Sequence, residues 1–103
     1  MLRVITCNTN GIRAAHRKGF FNWLSSSNAD IVCIQETKAH IDQLTDPAFQ
    51  PEGYYCRYND AEKRGYSGTA IFSKVKPIRF IDRLGWDPLD SEGRYIQADF
   101  KNM

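Results

Sequence analysis

Asp30-Ile31-Val32-Cys33-Ile34-Gln35-Glu36-Thr37-Lys38 is an apolar run that ends abruptly in a carboxylate. Ile31 to Ile34 are apolar without alternation, the pattern of a strand buried on both faces inside a helix-covered sheet. Asp30 to Gln35 reads as that strand, and Glu36 then falls just past its C-terminal end. In α/β proteins this edge of the sheet is where ligands and reacting groups gather. A carboxylate held there by a rigid strand can offer a hard oxygen to a divalent cation such as Mg²⁺. Taken alone, Q-E-T-K is better read as a strand running out into a polar loop.

Upstream lies a second segment of the same design. Leu2 to Asn8 reads as a strand, and Asn8-Thr9-Asn10-Gly11 is a loop of residues that tolerate left-handed backbone. A helical segment follows between Ile12 and Ser27, because Phe20, Trp23 and Leu24 recur at i, i+3 and i+4. Gly19 marks a break within it, and Ser25-Ser26-Ser27-Asn28 ends it. A strand–helix–strand unit makes a right-handed parallel pair, so Asn8 and Asn10 are expected at the same edge as Glu36. An Asn side chain offers its carbonyl oxygen to a cation or its NH₂ to a phosphate. The same residues also suit an Asx-type turn that only supports the loop.

Downstream, His40 to Leu44 reads as a short helix stopped by Asp46-Pro47, and Tyr54 to Asn59 as a third strand. Ser67 to Ser73 is a fourth strand, and Pro77 to Asp82 a fifth, at an edge because of its proline. Leu84 to Gly93 is rich in turn formers. Arg94 to Phe100 alternates and reads as a central sixth strand. One helical segment leaves one face of such a sheet with little to cover it, so half of a larger α/β sandwich is expected.

The 103 residues bound the answer to at most one domain, and 42% hydrophobic with 13% aromatic content excludes a disordered chain. Fourteen Lys and Arg against 12 Asp and Glu leave a formal charge of +2, too small by itself to demand a nucleic-acid partner. Cys7, Cys33 and Cys56 sit in apolar, strand-like settings without metal-ligand spacing and are expected as buried, reduced thiols. No apolar run reaches membrane-spanning length, and Leu2-Arg3-Val4-Ile5 reads as a strand rather than a secretory leader. A cytoplasmic or nucleoid-associated protein without a membrane partner or signal peptide is expected.

Local clusters say more than net charge. Lys63-Arg64-Gly65-Tyr66-Ser67-Gly68 sets two cations and an aromatic among glycines, which suits a loop contacting a phosphate backbone as well as it suits a solvated turn. Arg13, Arg17 and Lys18 form a second basic cluster, also readable as a wet helix face. Glu92-Gly93-Arg94 reads as a supporting ion pair, with contact to a substrate or to Glu36 as the other possibility. His16 and His40 lack partners at ligand or triad spacing, and no phosphate-binding glycine loop, nucleophile elbow or zinc pattern is present.

In order, Asn8-x-Asn10-Gly11-Ile12-Arg13-Ala14, Gln35-Glu36-Thr37-Lys38, Gly65-Tyr66-Ser67-Gly68-Thr69-Ala70, Ser73-Lys74 and Glu92-Gly93-Arg94 closely resemble the N-terminal half of the exonuclease III class of apurinic/apyrimidinic endonucleases. That class sits within the endonuclease/exonuclease/phosphatase superfamily. The resemblance implies a DNase I-like two-sheet α/β sandwich, with residues 1–103 as the N-terminal part of a single domain. It also implies a Mg²⁺-dependent phosphodiesterase, with Mn²⁺ possible, that cuts DNA 5′ to abasic sites and has 3′–5′ exonuclease activity. Its partner is then double-stranded DNA with abasic sites or 3′ ends, and the full-length enzyme is a monomer.

By the same resemblance Glu36 is the metal-ligating glutamate, Asn10 lies beside the metal, and Asn8 supports the catalytic network. Arg13, Ala14 and Lys18 match one DNA-contacting loop, Lys63 and Tyr66 a second, and Glu92 with Arg94 a pair under the active-site floor. The class is more than twice this length, and its second half supplies an active-site Tyr, a G-D-x-N segment, another Asp and a terminal S-D-H. None of these occurs here, so the 103-residue chain alone is expected to be inactive and marginally stable. Another nuclease or phosphoesterase of the superfamily, or a non-catalytic DNA- or partner-binding fragment, are the other readings.

Overall fold

The apolar run folds as β2 (Ile31–Gln35), inside a four-stranded sheet where β1 (Val4–Asn8), β2, β4 (Thr69–Ser73) and β3 (Tyr55–Asn59) lie side by side. The structure is a computed structural model that describes residues 1–102. β1 and β2 are parallel, and their last pair is Asn8 with Gln35. β4 runs antiparallel to both β2 and β3, which brings Thr69 against Gln35. All three motif-bearing loops therefore leave the sheet at one edge.

The β1–β2 connection is α1 (Ile12–Arg17) followed by α2 (Phe20–Ser26). The break expected at Gly19 is there: its φ of 94° is left-handed, and it ends one helix and starts the next. Because side chains alternate along strands, Val32 and Ile34 share a face with Ala70 and Phe72 across the register. Ile12 and Leu24 from the helices close over that face, and Ala29, Leu44 and Phe49 complete the buried cluster. Phe21, Phe49, Phe72 and Tyr58 meet mostly edge-to-face, with ring centroids 5.6–6.1 Å apart.

Several expectations are corrected. Pro77 to Asp82 and Arg94 to Phe100 do not extend the sheet; only β5 (Arg79–Ile81) and β6 (Gln97–Asp99) are strands, and they pair with each other as a separate antiparallel hairpin. The sixth strand is therefore not central. The chain is turned out after β4 because Ser73 Oγ both donates to the Val75 carbonyl at 2.7 Å and accepts from its N–H at 3.1 Å. Tyr95 is drawn off any ladder because its carbonyl accepts from Asn59 Nδ2 at 2.6 Å.

The supposed helix at His40–Leu44 is a 3₁₀ turn, Ile41–Gln43. Asp46-Pro47 does not merely stop it: the Asp46 side chain caps a second 3₁₀ turn, Pro47–Phe49, by accepting from the Ala48 N–H. The region expected as pure loop contains a one-turn helix, α3 (Asp87–Asp90). The cysteines are free thiols but only half-buried.

On the face of the sheet away from the helices, Ile31 and Ile71 are buried at the centre while Val4 and Tyr55 at the two edges are exposed. Arg57 on that face lies 5.4 Å from the Phe80 ring of the hairpin, so β5 and β6 begin a second layer. Among the described residues no helix is long and apolar enough to cross a membrane.

Candidate nuclease site

Glu36 leaves β2 with a left-handed φ of 54°, and Lys38 repeats this with a φ of 52°. Non-glycine residues rarely adopt this conformation, and it persists only where surrounding structure enforces it. Here it turns both side chains back toward the β1 exit. Asn8 Nδ2 donates a short hydrogen bond to Glu36 Oε2, and Asn8 Oδ1 accepts from the Asn10 N–H at 3.0 Å. Lys38 Nζ donates to Asn10 Oδ1 at 2.6 Å and lies 3.5 Å from Glu36 Oε1. The two amides and the carboxylate converge as expected, joined by a lysine ammonium that sequence reasoning did not single out.

The Asn8 hydrogen bond, with Lys38 and Arg94 adding positive charge, holds the Glu36 carboxyl below the usual glutamate range. Glu36 is therefore an anion at neutral pH, partly exposed and open to a ligand. Among the described residues it is the only carboxylate joined to Asn8, Asn10 and Lys38, and these residues contain no cluster of three or more His, Cys, Asp or Glu suited to a metal.

Two clefts flank this centre. One, of about 340 Å³, is lined by Glu36, Lys38, Gly65, Tyr66, Ser67 and Arg94. Arg94 Nη2 donates to the Tyr66 hydroxyl at 2.8 Å, and Arg94 Nε donates to Glu92 Oε1 at 2.7 Å. The Arg94 hydrogen bond, helped by the Tyr66 hydroxyl at 3.4 Å, holds the Glu92 carboxyl below the usual range. Lys63 Nζ and the Arg94 guanidinium both lie under 6 Å from the Tyr66 ring centroid, at 5.3 and 5.6 Å. Glu92 and Arg94 thus form the expected ion pair, and its partner is Tyr66 rather than Glu36.

The other cleft, of about 370 Å³, lies between α1 and the Lys63–Tyr66 loop and is lined by Gly11, Arg13, Ala14, Arg17, Lys38 and Gly65. Arg13 reaches the Lys38 carbonyl at 3.4 Å. Lys18 lies farther along the same rim, beside Asn8, Asn10 and Ala14. His16 and His40 are elsewhere: His16 Nε2 sits 3.6 Å from Asp46, and His40 flanks the turn at Ile41–Gln43, its backbone N–H donating to Gln43 Oε1 at 2.9 Å. A feature the sequence hid is the ion pair of Arg64 with Asp42, at 2.7 and 3.3 Å, which anchors the basic loop from 22 residues away.

Residues 5–103 match the family model described as the endonuclease/exonuclease/phosphatase family. The chain belongs to this family. It is 44% identical over 103 residues to an exodeoxyribonuclease of Bacillus subtilis (strain 168), covering 99% of this chain but 40% of that protein. Among solved structures it is similar to an AP endonuclease from Archaeoglobus fulgidus, with a TM-score of 0.79 and 32% identity over 95% of this chain and 37% of the other. A 3′ phosphatase from Neisseria, bound to a product DNA hairpin, gives a TM-score of 0.79 at 28% identity over 95% of this chain and 37% of the other. The chain thus spans well under half the length of these relatives. The family is one of hydrolytic nucleases, as the motifs imply, and the α/β fold agrees with the DNase I-like sandwich.

Proposed function

We propose that this chain is the N-terminal part of a single nuclease domain that hydrolyses DNA 5′ to abasic sites and removes nucleotides from 3′ ends. The observation that supports this best is the ionised Glu36 at the C-terminal edge of the parallel pair, hydrogen-bonded by Asn8 and set between two clefts lined by basic residues. Arg13, Ala14 and Lys18 on one side, with Lys63 and Tyr66 on the other, would position a duplex backbone across the carboxylate. Glu92 and Arg94 would hold Tyr66 in place beneath it.

The donor set fits Mg²⁺, or Mn²⁺, in the manner typical of a hard cation held by one or two carboxylates with substrate phosphate oxygens and waters completing the shell. Glu36 would hold it, with Asn10 beside it. Bound there, the cation would neutralise charge developing on the phosphate. Asn8 fixes the orientation of the Glu36 carboxylate, and Lys38 keeps Asn10 and Glu36 together until substrate arrives.

In a full-length protein containing this chain, Glu36→Gln should lower cleavage of an abasic duplex by about a hundredfold or more, the scale for losing a charge-stabilising group. Cleavage near the unsubstituted rate would overturn the assignment. Parallel assays on intact duplex and on a small phosphoester separate this reading from a general nuclease or phosphoesterase. The 103-residue chain itself should show no turnover, because neither His16 nor His40 is placed to activate water beside Glu36. Cleavage by a mass-verified preparation, abolished by Glu36→Gln, would refute that.

A further inference from the structure

Thr37 stands between the two left-handed residues and is fully buried. Its N–H donates to the Gly68 carbonyl at 3.1 Å, and its carbonyl accepts from the Ile12 N–H at 2.9 Å. The flanking bonds repeat the pattern: Gly11 N–H donates to the Glu36 carbonyl at 2.8 Å, and Lys38 N–H donates to the Ser67 carbonyl at 2.8 Å. One three-residue turn is thus stitched to the loop leading into α1 on one side and to the Tyr66-bearing loop on the other.

The Thr37 side chain behaves unusually. Its hydroxyl is buried yet has no hydrogen-bond partner, although a buried polar group normally finds one. What it has is contact: a Cβ added at Gly68, whose φ is +87°, would overlap Thr37 Oγ1 outright. The hydroxyl oxygen fills space against a residue that has no side chain.

We propose that Thr37 is a positioning residue, a shape-based wedge that couples the Lys63–Tyr66 loop to the orientation of the Glu36 carboxylate. A duplex that moves the loop shifts Ser67 and Gly68, and these transmit the shift through Thr37 to the residue beside it. The inference rests on the DNA reading of that loop, but its physical core is the Thr37–Gly68 contact. Gly68 is then required because any side chain there pushes the wedge and rotates Glu36 away from Asn8.

The test reads the Asn8 side-chain NH₂ resonances of the 103-residue chain by NMR, since donation to the Glu36 carboxylate shifts one proton downfield. Thr37→Val keeps an atom where Oγ1 meets Gly68 and removes the hydroxyl, so it should retain the shift; Thr37→Ala removes the contacting atom, so it should reduce it. Loss of the shift in Thr37→Val as large as in Thr37→Ala overturns the wedge in favour of a hydrogen-bonding role. Gly68→Ala should lose the shift, and Thr37→Ala in the same chain should partly restore it by making room.

Coupling is read by adding a short abasic duplex without metal. Movement of both Tyr66 and Asn8 signals in the unsubstituted chain, but of Tyr66 alone in Thr37→Ala, supports it. Movement of Tyr66 without Asn8 in the unsubstituted chain refutes coupling and leaves the DNA reading standing. Movement of neither signal removes the DNA reading and the coupling together, leaving the Val and Ala series to decide the wedge.

Discussion

The four-stranded sheet and the β5–β6 hairpin are built to different standards within one short chain. Val32 and Phe72 in the sheet have no exposed surface, and five-residue strands pair in full register. The hairpin strands are three residues each, none of their side chains is fully buried, and they are held by side chains at their margins. Hydrophobic burial organises the first and polar contacts attach the second. The site grows from the better-built part: Asn8, Glu36 and Thr69 all lie at or just past the ends of its strands.

The sharpest break in this comparison is a pair of truncations. Phe72→Ala removes a ring that packs against Phe21 and Tyr58 at the centre of the core, and should cost about 3–5 kcal/mol in denaturant unfolding. Phe80→Ala removes a half-buried ring whose named partner is Arg57, and should cost about 1–2 kcal/mol. Equal losses would show that the hairpin shares the main core.

A smaller effect probes the seam. Asn59 ends β3 and donates through Nδ2 to the Asp82 and Tyr95 carbonyls, at 3.0 and 2.6 Å, so one side chain ties the hairpin's outer ends to the sheet. Asn59→Ala leaves both carbonyls without that donor, at about 1–3 kcal/mol. Hydrogen exchange should then quicken in Arg79–Ile81 and Gln97–Asp99 while β2 and β4 stay protected. Uniform quickening of all strands would mean that the two parts unfold as one.

The same contrast explains what could be read from the sequence. β2 was legible because four consecutive apolar residues specify a strand covered on both faces, and its end places Glu36 without further information. Asn8 followed from the parallel pairing that a helical connection imposes. The two hairpin strands were legible within Pro77 to Asp82 and Arg94 to Phe100, but their separate pairing was not, since Ser73 and Asn59 decide the departure from the sheet through contacts absent from any local pattern. Lys38 and Thr37 were missed for a related reason. Their roles depend on left-handed backbone at Glu36 and Lys38, which tertiary hydrogen bonds to Gly11, Ile12 and Ser67 impose.

The smallest expected effect is in acid. None of the strands Val4–Asn8, Ile31–Gln35, Tyr55–Asn59 or Thr69–Ser73 contains a carboxylate, whereas the hairpin ends in Asp99. Asp99 accepts from Gln97 Nε2 at 2.8 Å and from Arg79 Nε at 2.6 Å, and these bonds, Gln97 first, hold its carboxyl below the ordinary aspartate range. A depressed folded value means that the contribution is complete above the unfolded value of about 3.9 and is lost as pH falls through the folded one. Exchange at Arg79–Ile81 should therefore rise as pH drops below about 4, before β2 and β4 respond, once rates are corrected for intrinsic pH dependence. Asp99→Asn should flatten that step and leave the sheet unchanged. Simultaneous acid loss in both sheets would show that the hairpin's polar attachment is not what distinguishes it.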